Sequence, residues 1–483
     1  MKKVSVLILS LAIASLTAAC GKAGTQAAAP SPTAAERADQ QSATNGGSAT
    51  SPAPSGATPE AETETADWPG LMFPKKATIE PTTLYDANNV KITADQLKYQ
   101  NDQAMLDLTI ENRSDKELSF VAGSIGYSRN SVNGYMMDGI YLNETVNAGL
   151  TSKETIRLNS DYLAWTGISD IADITLDFEI KDTDYNTVAE TGPLVVKTNL
   201  ADSWDYGTDA YAALMKRGQP IRKSSIKIEQ YKEESLFDQA GVKILSSALL
   251  SYGDEKLERL EVENTSDANI ALSIDDIAVN GLTVTSGTWT YVFINGHHKG
   301  FIDLEFSTLL SSFNSDALGI DDINAISFTA QVRDWNDNTL SEPAEVSMNL
   351  GNGEASAYDD SGQEVYNQNG IQIISKGVTN GTHSYDEDLH LLFIIRNTTS
   401  AEIVVVVDSD SVSVNDTMID SMGDYLVVPA GATTTADVSL DNDSLARSQI
   451  SKPEDIKKAS LKFKMRDENY NTIDEPAFNL TFD

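Results

Sequence analysis

Apolar and polar side chains alternate with a period of two along much of the chain after residue 77. The clearest runs lie at 106–110, 174–181, 326–332 and 461–465. Alternation of this kind places one side of a strand on a core and the other in water, which is typical of antiparallel sheets. Turn signals such as ENRSDK, VNG and NAG separate the runs at short intervals, so the chain is predicted to be mostly β.

The alternation belongs to an internal repeat, because four motifs occur three times in the same order. The most constant motif is DFEIKDTDYNTV at 177–188, TAQVRDWNDNTL at 329–340 and KFKMRDENYNTI at 462–473. In every copy, an Asn that closes an earlier strand lies 70 positions before the central Asp of this motif. The period of 152 and then 133 residues is far too long for a solenoid unit, so each copy is predicted to be a domain with its own core.

Each copy holds about seven or eight short strands, which favours a two-sheet immunoglobulin-like sandwich. A weakly helical stretch before the last hairpin of each copy predicts a short helical crossover. The predicted fold is therefore mostly β, with three tandem antiparallel immunoglobulin-like β-sandwich domains, short helical crossovers and a preceding disordered tether.

The N-terminus follows a different pattern. Two lysines precede an apolar run at 4–16, and small residues then lead to Cys20. These features describe a secretory signal peptide, and the run is shorter than the roughly 20 apolar residues that span a bilayer. The segment resembles the lipobox of bacterial lipoproteins, with Thr17 where Leu is usual. The resemblance implies that Cys20 carries a diacylglycerol, the alternative being a secreted protein cut near Ala19.

Composition narrows the choice of partners. The chain has 35 basic and 72 acidic side chains, a formal net charge of −37. This balance disfavours nucleic acid and adsorption to an anionic membrane surface, because both need clustered Lys and Arg. A single Cys and four His exclude Cys-rich zinc modules, iron–sulfur clusters and a disulfide framework.

The segment after the signal is rich in Ala, Ser, Thr, Gly and Pro, and it has no aromatic residue before Trp68. Such a segment buries too little apolar surface to offset the entropy of ordering, so it is predicted to be a disordered tether. The predicted organisation is a lipoprotein signal peptide with its lipidated cysteine at 1–20, the tether at 21–76, β-sandwich repeat 1 at 77–198, a linker with a helix candidate at 199–225, repeat 2 at 226–350, a linker at 351–362 and repeat 3 at 363–483.

The assembly of signal, tether and repeats resembles the tandem Ig-like and telokin-like domains of surface lipoproteins of Gram-positive bacteria. The resemblance covers 77–483 in architecture, and the strand motif L-x-I-x-N-x-S carries it in sequence. It implies a non-catalytic role on the extracytoplasmic face of the cell membrane, with the protein held there by its lipid.

An acidic hairpin in each repeat is the most suggestive candidate site. All three fit D-x-[DN]-x-[DN], and a Glu follows the first Asp by eight positions, at Glu190, Glu342 and Glu475. This pattern opens the helical calcium loop, but Thr stands where that loop needs Gly. The alternative is a hairpin turn in which Asp and Asn cap their own backbone and Asn adopts a positive φ. The residues are Asp182, Asp184, Asn186, Asp334, Asn336, Asn338, Asp467, Asn469 and Asn471.

For three further features, a structural role is the preferred interpretation over a functional one. Asn112, Asn264 and Asn397 each precede a Ser or Thr by two residues, which is a turn signature. The pair at 297–298, HH, is predicted to lie in a turn without forming a metal site. Three aromatic residues share one parity and fit a buried strand face first and an exposed binding strip second: Trp289, Tyr291 and Phe293.

No G-x-S-x-G elbow, H-E-x-x-H motif, P-loop or dinucleotide fingerprint occurs, so no enzyme is predicted. The first hypothesis is a non-catalytic, membrane-anchored extracytoplasmic lipoprotein that acts as a binding or spacer module. Its partners would be the membrane, through the lipid, and an unidentified protein or glycan, with no cofactor and no nucleic acid. The alternatives are a calcium-responsive surface module and an accessory subunit of an envelope transport or sensory system.

Overall fold

The computed structural model describes residues 72–482, apart from 101, 124–128, 138, 219–225, 254, 285–289, 352–357 and 382–387. The signal peptide, Cys20 and nearly all of the tether lie outside the described residues, and they stay predictions. The described part confirms the predicted class: it is mostly β, with antiparallel sheets and a few short helices.

Repeat 1 is a sandwich of two sheets. The first sheet has the order β1-β2-β3-β8, and the second is built around β9, which pairs with β4, β5 and β10. Its elements are β1 (Thr82–Ala87), β2 (Val90–Gln100), β3 (Gln103–Asn112), β4 (Leu118–Ala122), β5 (Ser131–Val132), β6 (Tyr135–Met136), β7 (Leu142–Val146), β8 (Thr151–Arg157), α1 (Ser160–Trp165), β9 (Asp173–Asp182) and β10 (Thr187–Lys197).

A helix, α2 (Ala210–Arg217), follows repeat 1 in the segment for which the sequence predicts one. Repeat 2 then forms a first sheet from β11, β12, β13, β14 and β18, and a second from β15, β16, β17, β19 and β20. Its elements are β11 (Ile226–Lys232), β12 (Phe237–Gln239), β13 (Val242–Tyr252), β14 (Glu255–Asn264), β15 (Ile270–Val279), β16 (Leu282–Thr283), β17 (Thr290–Ile294), β18 (Lys299–Glu305), α3 (Phe306–Leu310), α4 (Ser315–Leu318), β19 (Ala325–Asp334) and β20 (Ala344–Asn349).

Repeat 3 has the same plan. Its first sheet has the order β21-β22-β23-β29-β27, and its second is centred on β30. Its elements are β21 (Gln363–Gln368), β22 (Ile371–Asn380), β23 (Leu389–Asn397), β24 (Ile403–Val407), β25 (Ser413–Val414), β26 (Thr417–Met418), β27 (Ser421–Gly423), β28 (Tyr425–Val428), β29 (Thr433–Leu440), α5 (Asn442–Arg447), β30 (Lys458–Asp467), β31 (Thr472–Asp474) and β32 (Ala477–Thr481).

An Asn that recurs at the same position of each repeat links one sheet to the other by hydrogen bonds. Asn112 is 1% exposed; its Nδ2 donates to the carbonyl of Val146 at 2.8 Å, and its Oδ1 accepts from the Ser114 hydroxyl at 2.7 Å. Asn264 and Asn397 make equivalent contacts. A buried amide with its hydrogen bonds satisfied fixes the turn, so the predicted turn role is confirmed.

The three repeats do not have fully separate cores, contrary to the sequence-based expectation. The apolar core of repeat 1 includes Leu250 and Phe301 of repeat 2, and the core of repeat 2 includes Leu392 and Ile394 of repeat 3. The sequence signal was present, since β23 is almost continuously apolar and is buried on both sides. Such a run marks a strand covered on both faces, not one with a solvated face.

The joint between repeats 1 and 2 contains a fully buried arginine and its ion pair. Arg259 is 0% exposed, and its guanidinium donates two hydrogen bonds of 2.6 Å to the Asp303 carboxylate. The same guanidinium lies 5.2 Å from the ring centroids of Trp165, in repeat 1, and Phe301. The backbone of repeat 2 also pairs with that of repeat 1, where β18 meets β6 in parallel. Repeats 1 and 2 are therefore packed and hydrogen-bonded to each other.

A candidate ligand-binding groove on repeat 2

The acidic hairpins turn their first carboxylate toward their own backbone. The Asp334 Oδ1 accepts from the amides of Asn336 at 2.8 Å and Asn338 at 2.9 Å, and the Asn338 Nδ2 donates to Oδ2 at 2.8 Å. Asp182 and Asp467 make the same set of contacts. These hydrogen bonds from Asn338 lower the pKa of Asp334, as the matching ones do at the other two hairpins.

The residue with positive φ is not the Asn that the sequence suggested. The fourth residue of each hairpin adopts it instead, with φ of 62° at Tyr185, 65° at Asp337 and 62° at Tyr470. The first Asp of each hairpin already fixes the turn through its side chain. The path of the backbone therefore determines which residue has a positive φ, whatever side chain that residue carries.

The structure adds nothing in favour of calcium at these hairpins. Among the described residues, no group of three or more His, Cys, Asp or Glu side chains is placed to hold a metal ion. Glu190 lies 3.8 Å from the Arg129 guanidinium, and Glu475 pairs with Lys462. The cation interpretation therefore stays a prediction, while the hydrogen bonds account for each leading Asp without an ion.

The strand register brings the hairpin of repeat 2 next to the aromatic strand. Ile270 of β15 lies opposite Ile294 of β17 and opposite Asp334 of β19. Ile270 and Ile294 face the core, and successive residues of a strand point to opposite faces. The next residue of β15, Ala271, therefore lies on the outer face, between Phe293 and Arg333. Two residues further on, Ser273 lies opposite Tyr291.

Three aromatic rings form a row on this outer face. Tyr291 and Phe293 have ring centroids 4.9 Å apart at 81°, and Phe293 and Trp335 are 5.6 Å apart at 82°. The Trp335 indole is held by a 3.0 Å hydrogen bond from Nε1 to the carbonyl of Ile270. All three rings are half-buried, so the expectation that Tyr291 and Phe293 form a buried strand face is wrong, while a binding role for them stays a prediction. Trp289 lies outside the described residues.

The row borders a groove of about 400 Å³, a size within the usual range of small-molecule sites. Arg333 is one of its lining residues, and its guanidinium donates at 2.9 Å to Asp337 and at 2.8 Å to Gln331. The hydroxyl of Ser273 donates to Asp275 at 3.2 Å. The lining residues are Ala271, Ser273, Asp275, Tyr291, Phe293, Arg333, Asp334, Trp335 and Asp337.

Repeat 1 supplies a side chain to the edge of the groove. The guanidinium of Arg129 lies 4.2 Å from the centroid of the Trp335 ring, a cation–π contact. The same guanidinium lies 3.7 Å from Asp177, and the Arg129 carbonyl accepts from Asn295 at 3.1 Å. Burial raises the pKa of Asp177, and the charge of Arg129 opposes that rise. Sequence analysis missed this contribution because nothing in the pattern links Arg129 to a hairpin two hundred residues away.

Trp335 was also missed as a site residue. The signal that could have found it was the second position of the hairpin, which is Thr183 in repeat 1, Trp335 in repeat 2 and Glu468 in repeat 3. A large aromatic side chain at a turn position that is polar in both other copies has no role in the shared fold. Strand register would then have placed it beside the aromatic strand.

The two adjacent histidines occupy a turn, as predicted. The His297 Nε2 lies 2.7 Å from the Asp267 carboxylate, and the His298 Nδ1 lies 2.7 Å from the carbonyl of Gly296. Each imidazole therefore has a separate local partner, and the two do not converge.

The equivalent face differs in the other repeats. In repeat 1 the positions of Tyr291 and Phe293 are taken by Asn143 and Thr145, which lie opposite Val121 and Ser119. In repeat 3 they are taken by Tyr425 and Val427, opposite Val406 and Val404. The aromatic row is thus a property of repeat 2, laid over a strand arrangement that all three repeats share.

Comparison with known proteins identifies no family. No family model matches the chain, and no curated protein matches it. Solved structures that match include a red sea bream transglutaminase, at 10% identity and a TM-score of 0.14 over 54% of this chain and 31% of that one. The chain thus spans about a third of the transglutaminase.

Two other matches cover more of the chain. The exo-chitosanase CsxA of Amycolatopsis orientalis matches at 7% identity and a TM-score of 0.14, over 84% of this chain and 79% of that one. A Corynebacterium diphtheriae protein, provisionally named as membrane-anchored, matches at 10% identity and a TM-score of 0.13, over 84% and 91%. Scores this low carry no argument about function. Within the described ranges, no helix has the length and apolar character needed to cross a bilayer.

Proposed function

We propose that this protein is a lipid-anchored, extracytoplasmic binding protein that holds its ligand in the groove on repeat 2 without turnover. The signal pattern ending at Cys20 supports the anchor, and the Ala/Ser/Thr/Pro-rich segment supports a tether that extends the repeats from the membrane. The packed joints between repeats support a stiff array that presents one face at a fixed position.

The observation that carries the binding role is the aromatic row at positions where repeat 1 is polar. Packing of the shared core does not need Tyr291, Phe293 or Trp335, because Asn143, Thr145 and Thr183 serve at the same places. Aromatic side chains with a few polar groups around a concave surface are typical of ligand sites. Retaining three such rings on an outer face therefore favours a binding role.

Binding without turnover fits the state of the charged groups. The amides and side chain of its own turn lower the pKa of Asp334, so that carboxylate stays ionised and is a poor proton donor at neutral pH. Asp337 is engaged by Arg333 at 2.9 Å. The groups nearest the rings therefore support the surface and are not poised for proton transfer.

The proposal is tested by retention on cell envelopes. The mature chain from residue 21, which lacks the lipid, is incubated with washed envelopes of the organism that makes it, and the sedimented fraction is measured. We expect the wild-type chain to sediment and Tyr291→Ala to lose at least tenfold in retention. Tyr425→Ala, the equivalent tyrosine of repeat 3, is the matched control and should sediment as wild type. Equal retention of the two variants, or none by wild type, contradicts the proposal.

The anchor is tested separately by labelling cells with a fatty-acid analogue. The full-length protein should incorporate the label and partition into detergent, and Cys20→Ala should do neither. Labelling that persists in Cys20→Ala contradicts the anchor at this residue.

A further inference from the structure

We infer that the groove on repeat 2 takes a carbohydrate, a chain of uncharged sugar rings that stacks on the aromatic row. The inference rests on the proposed function, since it names the chemical class of ligand for the same groove. It is carried by three observations: the rings, the partners that the protein itself gives to most of the charged groups around them, and the hydrogen-bonding groups that line the groove.

The rings supply an apolar surface without closing over it. Consecutive members of the row are nearly perpendicular, at 81° and 82°, so the surface offers both ring faces and ring edges. All three are half-buried, which keeps them rigid through packing while part of each ring stays accessible. Pyranose rings carry one face of C–H groups, and that face gains from contact with an aromatic ring while the hydroxyls stay at the rim.

Three of the four charged side chains that line the groove, Arg333, Asp334 and Asp337, have their partners within the protein. Arg333 pairs with Asp337, and the Asp334 carboxylate accepts three hydrogen bonds from its own turn. A cation is the ligand that an indole face attracts most, and Arg129 already occupies that position over Trp335 at 4.2 Å. A cationic ligand would have to displace this arginine from its carboxylate partners, and an anionic ligand would meet a chain of net charge −37.

The groups that remain suit hydroxyls. Asp275 offers an acceptor, Arg333 offers guanidinium donors, and the Ser273 hydroxyl can both donate and accept. Paired donors and acceptors beside an apolar surface match a sugar, in which each hydroxyl plays both roles. An uncharged peptide would lack this density of hydroxyls, and a lipid chain would offer these three polar side chains no further hydrogen-bonding partner.

The experiment measures binding of four neutral linear hexasaccharides, the cello-, laminari-, malto- and N-acetylchito-series, to the mature chain by calorimetry. A protonated chitosan hexamer, a polyuronate and a basic peptide are the charged probes. We expect at least one neutral sugar to bind, with an affinity unchanged between low and high salt. Tyr291→Ala and Phe293→Ala should each weaken it at least tenfold, and Tyr425→Ala should leave it unchanged. The melting temperature of each variant checks that it is folded.

The outcomes separate this inference from the proposed function. Envelope retention that depends on Tyr291, together with binding of only a charged probe whose affinity falls with salt, overturns the carbohydrate class and leaves the binding function standing. Envelope retention without any response to the seven probes also overturns the carbohydrate class. Loss of both the retention and all probe binding overturns the two proposals together. Neutral-sugar binding that survives Tyr291→Ala and Phe293→Ala moves the site off the groove and overturns the inference.

Discussion

Repeats 2 and 3 pack the same face of their first sheet against the preceding repeat, but the side chains on that face differ in chemical type. Counted back from the buried Asn that closes the strand, Arg259 of repeat 2 corresponds to Leu392 of repeat 3, and Glu261 corresponds to Ile394. Both pairs are buried against the preceding repeat. The first joint is therefore charged and aromatic, whereas the second is aliphatic.

The outer face of the second sheet also differs between repeats 2 and 3. Tyr291 and Phe293 correspond to Tyr425 and Val427, and only repeat 2 adds Trp335 from its hairpin. The core positions and the hydrogen bonds of one buried Asn define the sandwich in every repeat, so residues on the outer faces can differ between repeats. The comparison shows that the joint between repeats 1 and 2 and the groove on repeat 2 are both formed by residues that the shared fold does not need.

The largest expected effect is at the charged joint. Arg259→Ala should lower the free energy of unfolding by about 3–5 kcal/mol, because it removes a fully buried side chain from among aromatic rings together with its two hydrogen bonds to Asp303. Leu392→Ala is the matched change at the aliphatic joint and should cost about 2–4 kcal/mol through the cavity alone. Urea unfolding of both variants measures the difference. An effect below 1 kcal/mol for Arg259→Ala would show that the charged joint adds little.

The two joints should also differ in their response to pH. Burial raises the pKa of Glu261 to about 7, with Lys299 opposing the rise and Asp209 adding to it. The folded state then holds a proton that the unfolded state releases near pH 4.5, so the free energy of unfolding falls as pH rises from about 4.5 to about 7. The loss is about 3 kcal/mol.

Glu261→Gln tests this dependence, since an amide stays neutral across the whole range. The slope of stability against pH should become shallower in the variant, and the part that remains is assigned to Glu258, whose pKa burial also raises to about 7. Ile394→Ala, at the equivalent position of repeat 3, should leave the slope unchanged. A slope that Glu261→Gln does not alter contradicts the assignment.

The smallest effect is at the hairpins, which the comparison places among the shared features. Asp182→Ala, Asp334→Ala and Asp467→Ala should each lower the melting temperature slightly, since each removes the acceptor for two turn amides. The three decreases should be similar. Replacement by Asn, which keeps an acceptor oxygen, should recover most of each loss.

Thermal melts of the wild-type chain at matched ionic strength, in chelator and in millimolar calcium, should superimpose. A rise of several degrees in the melting temperature that the Ala variants lose would restore the calcium hypothesis.

Much of the fold could be predicted from the sequence, because alternation with a period of two, turn residues and the internal repeat are all visible in the chain itself. The alternation at 174–181 predicted β9, and the helix candidate after residue 199 is α2. The joints were not predicted, because an outward Arg259 or Ile394 finds its partner only when another repeat covers it. The same reason hid the groove: Tyr291 and Phe293 were noticed, but Trp335 and Arg129 reach them through register and packing between repeats.

The most direct test of the groove as the ligand site is fluorine NMR of the mature chain labelled with fluorotryptophan. The chain has five tryptophans, so the spectrum is simple, and Trp335→Phe assigns the resonance of the groove. The account predicts that a saturating neutral hexasaccharide shifts the Trp335 resonance while the Trp165 resonance at the first joint stays in place. A bound ligand that leaves Trp335 unmoved, or that moves Trp165 in its stead, would contradict the account.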